Sequence, residues 1–561
     1  MVRTQFSVAW RQPCSSLCLR TFRTVVTLQA AVLHPTVGVA VSLVNDDRAL
    51  APWASPSPPK ERFIRTTRRI AGIAGQLTLT LVVQGLLVTA AAAQATPARF
   101  AITHVTVIDV ERGRRLRDRT VLVEGHRITQ VAPSASARTP AGITIVDGRG
   151  KYLIPGLWDM HVHALQSGRA PWMFPLLIAT GVTGVRDTGA PLDSLLVYRP
   201  RVAAGDMLGP RIVGAGPILD GPPIQYPGVS RPVASPDQGR RIVDSLVIAG
   251  VNFIKTYDGL SRETFFAMAA EAKLRGISII GHVPWAVSAF EASDAGLRSI
   301  EHLVRVPNMC IPDSLATVLD AEDEAMRARR PPIDPDSQQV RWINMDKREA
   351  AAFDERLCER AGARFARNGT WQVPTLEFHH RTGRRFQTTD TARTDSRLRY
   401  LPVRVVASWM RNRDSTLAHP FRAQEGDARY ETYIRVARAL VRGGASLLTG
   451  TDLGWPFVMP GFGVHGELQA FVRDVQLTPL QALRCATLGP AQFLGATDSL
   501  GTVAPGKLAD LVLLDADPLA NIRNTLRIRA VVANGRYLDR AALDALLSIA
   551  ERADHDIDKS K

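Results

Sequence analysis

Two histidines separated by one residue, His161 and His163, end an apolar stretch that begins at the turn Pro155-Gly156. In a β-strand, residues two positions apart project from the same face. Both imidazoles would therefore enter one space from the end of a buried strand, which suits two neighbouring metal ligands. Taken alone, the triplet could also be chance or a pair of ordinary core histidines, so the other strand ends decide between these readings.

Further residues that can bind metal or transfer protons end other strand-like segments of the chain. Each follows a short apolar run, and together they are Lys255, His282, His302 and Asp452. Carboxyl ends of parallel strands meet on one side of an α/β barrel, where catalytic groups are found. The sequence therefore predicts one metal site that combines these four residues with His161 and His163.

Lys255 is informative because lysine is rare in this chain: eight of its 69 basic residues are lysine. A buried ammonium at the end of an apolar strand is costly and repels cations. Reaction with CO2 would convert the amine into a carbamate, an anion whose two oxygens can bridge two metals. The alternative is that Lys255 forms an ion pair with Asp452 or Glu301.

Strand-like and helix-like segments alternate through the middle of the chain, as is typical of a parallel α/β fold. The predicted strands are 157–163, 182–187, 211–216, 251–257, 277–282, 297–302, 370–376 and 446–452. Eight such strands closing on themselves form a (β/α)8 TIM barrel, expected here over 154–497. Residues 262–274 and 346–367 have helical patterns, and the long excursions 303–369 and 377–445 are expected to form lids or substrate walls.

Short alternating strands, punctuated by Gly, Asp and Pro, precede and follow this predicted barrel. Neither end of the mature chain alone offers enough strands to enclose a core. We therefore expect residues 98–153 and 498–540 to form one small β-sandwich domain.

Charge and cysteine content argue against two classes of protein. The formal net charge is +16, but residues 1–99, with eleven basic and three acidic residues, account for +8 of it. The remaining positive charge is spread over residues 100–561 without a run of basic residues, so nucleic-acid binding is not expected. The five cysteines are Cys14, Cys18, Cys310, Cys358 and Cys485, and none of them forms a CxxC pair. The three that lie outside the N-terminal extension allow at most one bridge. A disulfide scaffold is therefore not expected.

Residues 1–95 form an N-terminal extension that ends with the features of a secretory signal peptide. Four arginines between 62 and 69 precede an apolar run over 70–93, and the small-residue site Ala93-Gln94-Ala95 closes it. Cleavage there predicts a periplasmic or secreted protein without a stable membrane anchor. The distance of this signal from Met1 favours a start further downstream. The run is also long enough to be a membrane anchor, and Arg68-Arg69 allows a twin-arginine route.

On these motifs the chain resembles the amidohydrolase superfamily, especially its imidazolonepropionase-like and Xaa-Pro dipeptidase-like branch. The resemblance covers roughly 100–540 and includes the returning segment 501–510, Gly-Thr-Val-Ala-Pro-Gly-Lys-Leu-Ala-Asp. In binuclear members, the pattern matching His161, His163, Lys255 and Asp452 binds one metal. The carbamate and the residues matching His282 and His302 bind the other. The resemblance implies two zinc ions bridged by carbamylated Lys255, whereas the single metal of imidazolonepropionase itself favours one.

Roles for individual residues follow from such a site. Two divalent metals would lower the pKa of a bound water and polarise a carbonyl oxygen, and Asp452 could move the proton of the attacking hydroxide to the leaving nitrogen. Tyr257 shares the face of Lys255 and could donate to the oxyanion and bind substrate, or could be a packing residue. His465, just after the eighth strand, could contact substrate. Asp159 lies deeper on the first strand and is expected to be structural.

The function favoured by the sequence is a metal-dependent hydrolase of carbon–nitrogen bonds. Its substrate would be a small amide, a dipeptide or a cyclic amide, attacked by a metal-activated hydroxide. The alternatives are a non-catalytic scaffold with the same fold, and a deaminase or a lactonase that uses the same metals. A scaffold would have little reason to keep Asp452 and all four histidines. The expected partner is a small-molecule substrate, and a homo-oligomer is compatible with the sequence.

Overall fold

The computed structural model describes residues 99–557 except 167, 329–334 and 420–421. The N-terminal extension 1–95, with its signal-peptide features, Cys14 and Cys18, lies outside this range. Within the described part of the chain, no helix combines the length and the apolar character needed to cross a membrane.

The strands and helices follow one another in the alternating order that the sequence predicts for its middle part. In chain order the strands are β1 (Arg99–Asp109), β2 (Arg114–Glu124), β3 (Arg127–Pro133), β4 (Thr144–Asp147), β5 (Tyr152–Pro155), β6 (Leu157–Val162), β7 (Val182–Asp187), β8 (Arg211–Gly214), β9 (Ile218–Asp220), β10 (Ser230–Pro232), β11 (Phe253–Thr256), β12 (Ser278–Gly281), β13 (Leu297–Glu301), β14 (Trp371–Val373), β15 (Leu511–Leu514), β16 (Ile528–Ala533) and β17 (Arg536–Leu538). The helices are α1 (Ala170–Ala179), α2 (Leu192–Ala204), α3 (Pro236–Ile248), α4 (Arg262–Leu274), α5 (Ala289–Asp294), α6 (Asp313–Ala328), α7 (Pro335–Ala351), α8 (Glu355–Asn368), α9 (Leu376–Thr382), α10 (Arg384–Gln387), α11 (Asp390–Thr394), α12 (Val403–Ala418), α13 (Arg422–Arg442), α14 (Phe462–Arg473), α15 (Pro479–Cys485), α16 (Leu488–Phe493) and α17 (Arg540–Ile557).

Local sequence explains where the helices that alternate with the barrel strands begin and end. Ser235 and Ser261 precede α3 and α4, and each hydroxyl accepts from a backbone N–H in the first turn. Ser288 starts α5 through a capping box with Glu291. These side chains satisfy donors that a helix start otherwise leaves free. Gly369 ends α8 at a φ of 67°, a left-handed conformation that favours glycine.

The middle strands close into a TIM-barrel-like ring. Strands β6, β7 and β8 pair in parallel, as do β9, β11, β12, β13 and β14. The backbone N–H of Asn252 donates to the carbonyl of Gly214 at 2.8 Å and joins the two groups. Residues 446–452 close the other side, because Leu448 N donates to Gln372 O and Met160 N to Thr449 O. A TIM-barrel-like arrangement of the predicted segments is therefore present.

Three details of the predicted middle region are wrong. Residues 446–452 are not a regular strand, because two of their backbone amides do not pair with a neighbouring barrel strand. Thr449 N donates to Cys485 O, and Thr451 N donates to the Asp159 carboxylate. The single helix predicted over 346–367 is two helices, α7 and α8, since the Asp354 side chain caps a new helix start. The excursion with β9 and β10 after β8 was not predicted.

Strands from both ends of the described chain form one sheet. Its order is β17-β16-β15-β5-β1-β2-β3, with β4 paired to β1, and β15 runs antiparallel to β5. The alternating side chains enclose a separate core that includes Phe100, Ile102, Leu511 and Leu513. The two ends therefore depend on each other, as predicted, whereas the division of this sheet into the two layers of a β-sandwich stays a prediction.

Cys310 and Cys358 form a disulfide across 48 residues, joining the segment after β13 to α8. This is the one bridge that the three cysteines outside the extension allow. Cys485 is free and buried, and burial raises the pKa of its thiol to about 12. An un-ionised, buried thiol of this kind is inert.

The composite sheet predicts a large difference in stability between two alanine substitutions, one in its core and one on its surface. Leu513 is 2% exposed in the core shared by both chain ends, whereas Ile145 is 54% exposed. Leu513→Ala should lower the free energy of unfolding by about 2–5 kcal/mol, because it leaves a cavity. Ile145→Ala should change it by less than about 0.5 kcal/mol. Urea unfolding followed by circular dichroism measures both, and equal small losses would mean that the shared core contributes little.

Candidate metal centre

A cavity of about 480 Å³ opens at the carboxyl ends of the barrel strands. The structure brings to its lining every predicted metal ligand together with Tyr257: His161, His163, Lys255, Tyr257, His282, His302 and Asp452. The strand ends position them, because each lies at or within three residues of the carboxyl end of β6, β11, β12 or β13, or at the end of segment 446–452. The predicted collection of these residues at one end of the barrel is therefore observed.

His161, His163 and Asp452 form the closest group, in which one ligand atom from each lies within 4.8 Å of the others. The Asp452 Oδ1 atom is 3.5 Å from His161 Nε2 and 3.3 Å from His163 Nε2. The Asp452 Oδ2 atom is 3.9 Å from His302 Nε2. His302 also contacts His282, with ring centroids 5.1 Å apart. One carboxylate thus faces three histidines from two barrel strands, β6 and β13.

All four histidines are held through Nδ1. His161 Nδ1 donates to Glu301 at 2.6 Å, and His163 Nδ1 donates to the carbonyl oxygen of Gly189 at 2.9 Å. His282 Nδ1 donates to Asp258 at 2.8 Å, and His302 Nδ1 is 2.8 Å from the Thr375 hydroxyl. Partners of this kind fix the ring orientation and the tautomer of metal-binding histidines, and leave Nε2 as the ligand atom.

The donor set fits a divalent metal. Burial, with smaller contributions from neighbouring cations, pushes the pKa of His161 and His302 well below the usual value, so both rings are neutral. With the proton of His161 on Nδ1, its Nε2 lone pair faces the Asp452 carboxylate oxygen across 3.5 Å. Asp452 Oδ1 has no hydrogen-bond partner among the described atoms. Two electron-pair donors that face each other without a proton between them are what a shared cation stabilises.

Lys255 is enclosed beside this group. It is 1% exposed, and its Nζ atom has no hydrogen-bond partner in the described part of the chain. A hydrogen-bonded ion pair with Asp452 or Glu301 is therefore not formed. Burial lowers the pKa of the amine to about 8, against the opposing effect of Glu301. Gly281, at a φ of 130°, makes room for this side chain, because a Cβ there would lie 2.9 Å from Lys255 Cδ.

The backbone at the site is strained. His302, Thr375 and Asp452 adopt φ values of 56°, 49° and 58°, in the left-handed region that β-carbons disfavour. Such conformations cost on the order of 1–3 kcal/mol each and persist when surrounding contacts enforce them. Here the amide of His302 donates to Val373 O and that of Asp452 to His161 O. The ring closure of the barrel therefore aims these side chains at the cavity.

A buried ion pair supports the first histidine. The Arg186 guanidinium donates to both oxygens of Glu301 at 2.9 and 3.0 Å, and both side chains are fully buried. Arg186 also donates to the Ser299 hydroxyl and to the Met160 carbonyl oxygen. Arg186 lowers the pKa of Glu301, against the raising effect of burial, so the carboxylate stays charged and orients His161.

His465 does not line the cavity, and its predicted substrate contact is wrong. Its buried ring uses both nitrogens elsewhere, with Nδ1 2.9 Å from the Thr525 hydroxyl and Nε2 2.9 Å from the Thr180 carbonyl oxygen. It therefore joins α14 to the end of α1 and to the turn at 522–526. Asp159 is structural, as predicted, because its carboxylate accepts from the amide and the hydroxyl of Thr451.

Sequence reasoning missed the residues that support and surround the ligands. Asp258 and Glu301 each adjoin a predicted site residue in sequence, Tyr257 and His302, and that adjacency was the available signal. The cavity is also lined by side chains from distant segments that carry no strand-end pattern: Tyr226, Phe378, His379, Tyr433 and Trp455. Only the folded chain brings these together.

A TIM-barrel-like fold with a histidine–carboxylate cluster at its carboxyl end defines a candidate metal-dependent enzyme, and comparisons with known proteins agree. The sequence profile of the amidohydrolase family matches residues 387–538. An imidazolonepropionase of Deinococcus deserti is 37% identical over 89 residues, which are 16% of this chain and 22% of that protein. An adenine deaminase of Rubrobacter xylanophilus is 33% identical over 89 residues, or 16% and 15% of the two chains. The chain thus spans less than a quarter of these relatives.

Solved structures extend the likeness to most of the chain. A putative prolidase from Bifidobacterium longum has a TM-score of 0.58 and 25% identity, covering 81% of this chain and 99% of its own. Bottromycin amidohydrolase has a TM-score of 0.62 and 26% identity, covering 82% of this chain and 91% of its own. At the level of sequence, the chain therefore resembles the amidohydrolase family over residues 387–538.

The contact between Asp258 and His282 predicts a specific loss of metal affinity. Asp258→Ala removes the acceptor that orients His282, and such supporting contacts are typically worth 10–100-fold in affinity. Chelator competition with zinc should therefore show a weakening of about that size. The exposed pair His104–Asp118, in which Nδ1 is 2.7 Å from the carboxylate, supplies the control, because Asp118→Ala should leave zinc affinity unchanged. Equal affinities in both variants would contradict the assigned site.

Proposed function

We propose that the protein is a metal-dependent hydrolase that cleaves a carbon–nitrogen bond in a small amide, a dipeptide or a cyclic amide. The proposal rests on the convergence of histidine Nε2 atoms and the Asp452 carboxylate in one cavity, with Nδ1 of each histidine already engaged. The names of similar proteins, among them prolidase, amidohydrolase and imidazolonepropionase, agree with this reaction class. Metal held by these ligands would lower the pKa of water and polarise the scissile carbonyl.

Asp452 is the proton carrier in this proposal. Asp452 is 3% exposed, and its Oδ1 atom is free of hydrogen bonds within the described structure. It can therefore accept a proton from the attacking water and pass it to the leaving nitrogen. The hydrogen bond from its own amide to His161 O holds it in place for both steps, against the strain of its left-handed backbone.

Tyr257 is the proposed donor to the substrate carbonyl. It stacks on the His282 ring with centroids 4.1 Å apart, and it is 8% exposed. Burial, followed by the nearby Asp258 carboxylate, raises the pKa of the phenol, so it keeps its proton. A protonated hydroxyl beside the ligand group can stabilise negative charge that develops on the carbonyl oxygen.

The finer proposal is a pair of zinc ions bridged by carbamylated Lys255. His161, His163 and Asp452 would serve one ion, and His282 and His302 the other. Supporting observations are the buried, unpartnered Nζ atom and the space that Gly281 leaves around the side chain. The amine nitrogen would attack the carbon of CO2 and lose one proton, which gives an anionic ligand with two oxygens. An anion is favoured here because two dications close together repel each other strongly.

A deaminase is the second candidate, because adenine deaminases are among the similar proteins. Deamination of a purine also breaks a carbon–nitrogen bond, and it would release ammonia. The same ligands would serve a lactonase, whereas a non-catalytic scaffold would not explain a strained, unpartnered Asp452.

Export is proposed as well, with the mature protein in the periplasm or outside the cell. The arginine-rich flank and the Ala93-Gln94-Ala95 site motivate it, and the Cys310–Cys358 disulfide suits an oxidising compartment. The protein isolated from its natural host should have an N-terminus near Thr96 by Edman sequencing. Full-length chain recovered from the cytosol would contradict export.

We also propose that the end strands act as a small β-sandwich domain over 98–153 and 498–540, beside a barrel over 154–497. Their separate apolar core supports this division. The comparison of Leu513→Ala with Ile145→Ala described above tests it.

Metal-dependent amide hydrolysis is the direct test of the function. The zinc-loaded protein should hydrolyse members of a panel of dipeptides and N-acyl amino acids. Chelation should abolish turnover, and added zinc should restore it. Asp452→Asn should lower kcat by about 10²–10⁴-fold, because it removes the proton carrier. Ammonia release from adenine without amide hydrolysis would favour the deaminase, and no turnover of either class by the metal-loaded protein would contradict the proposal.

The bridge is tested by Lys255→Arg, which keeps a positive charge but cannot form the carbamate. The variant should lose at least one metal per chain by mass spectrometry of metals, together with most activity. Lys273→Arg on the exposed side of α4 is the matched control and should retain the wild-type metal content. If Lys255→Arg keeps two metals, Lys255 does not bridge them.

A further inference from the structure

Aromatic rings that line the cavity contact one another in a continuous series. We call this series the aromatic wall, and its members are Tyr226, Tyr257, Phe378, His379, Tyr433 and Trp455. Successive ring centroids lie 5.8, 6.4, 5.6, 4.8 and 4.6 Å apart along the order Tyr257, Tyr226, Trp455, Phe378, His379 and Tyr433. These separations are those of packed aromatic pairs, so the rings act as one surface.

The wall starts at the reacting groups and reaches the solvent. Tyr257 stacks on His282, and Phe378 contacts His302, with centroids 4.1 and 6.2 Å apart. Trp455 lies three residues after Asp452 and is 37% exposed at the mouth. A substrate whose scissile bond lies at Asp452 can therefore contact these rings.

Charge near the wall disfavours an ionic side chain on the substrate. Among the described residues that line the cavity, Asp452 is the only carboxylate, and it belongs to the metal centre. Arg429 is already paired with Asp346 and Glu425, and Arg169 donates to the His163 carbonyl oxygen. Apart from these arginines, the proposed ligands, Gln166 and Gly454, the rest of the lining is aliphatic or aromatic, and its ring faces and edges suit a flat, uncharged group.

The wall is held in place before any substrate arrives. Phe378 and His379 lie on α9, whose first two amides donate to the buried Glu467 carboxylate at 3.0 and 2.6 Å. Gly466 permits this contact, because a Cβ there would lie 2.4 Å from the Glu377 carboxyl group. Trp455 is fixed through its amide, which is 3.4 Å from the Asp452 carbonyl oxygen. A preorganised surface loses little entropy on binding.

We propose that the aromatic wall binds an aromatic side chain of the substrate next to the scissile amide. The inference rests on the proposed function and narrows its substrate class to amides of aromatic amino acids. Amides of alanine would leave the rings uncovered, and amides of proline carry a saturated ring that lacks a π-face. Both should therefore be poorer substrates than amides of aromatic amino acids.

The test compares matched dipeptides on the zinc-loaded protein: Phe-Ala, Ala-Phe, Ala-Ala and Ala-Pro. The better phenylalanine substrate should exceed both Ala-Ala and Ala-Pro by about tenfold or more in kcat/KM. Trp455→Ala should reduce that preference by about tenfold, whereas Trp455→Phe should keep most of it because a ring remains. Ile248→Ala, an exposed apolar position on α3, should leave both the preference and the rates unchanged.

A binding measurement separates failure of this inference from failure of the proposed function. Asp452→Asn should bind N-acetylphenylalaninamide about tenfold more tightly than N-acetylalaninamide in calorimetry, and adding Trp455→Ala should remove the difference. If this binding preference is found but the unsubstituted, zinc-loaded protein hydrolyses no amide, the aromatic wall is supported and the proposed hydrolytic function is contradicted. If amides are hydrolysed without an aromatic preference, or if Trp455→Ala weakens all substrates equally, the inference is overturned.

Discussion

Unshared electron pairs converge at the centre of this barrel, and most of the surrounding structure serves to keep them there. His161 holds its proton on Nδ1 against Glu301, so its Nε2 lone pair faces the Asp452 carboxylate at 3.5 Å. Acceptors facing each other in a buried space repel unless a cation lies between them. The fold must therefore supply enough stability elsewhere to hold this arrangement before metal binds, and binding then relieves the repulsion.

Several features of the fold contribute to that restraint. The ring of strands closes through backbone hydrogen bonds of residues 446–452, and the same bonds impose the left-handed conformation on Asp452. The buried pair of Arg186 and Glu301 spans the barrel interior and orients His161. Glu467 holds α9 against the cavity, so one framework fixes both the ligands and the aromatic wall. The proposed ligands and the aromatic wall are therefore both held by contacts within the barrel framework.

Sequence patterns could predict the barrel strands and the ligands because both depend on local periodicity. His161 and His163 share a strand face, and the other ligands follow short apolar runs, so strand ends could be read directly. His465 could not be judged this way, since its partners Thr180 and Thr525 are 285 and 60 residues away. Tyr226 reaches the cavity from the irregular segment between β9 and β10, and Phe378 reaches it from the short helix α9, so neither follows the strand-end pattern. The composite sheet was predictable in outline, but not its strand order, which arises from pairing between distant segments.

Anomalous X-ray diffraction at the zinc absorption edge tests the central claim most directly. The account predicts an anomalous peak about 2.0–2.1 Å from Nε2 of both His161 and His163, with Asp452 as a further ligand. A second peak beside His282 and His302, with density joining it to Lys255, would support the bridged pair. No peak at the Asp452 carboxylate in zinc-loaded crystals would contradict the assignment of this cluster as a metal centre.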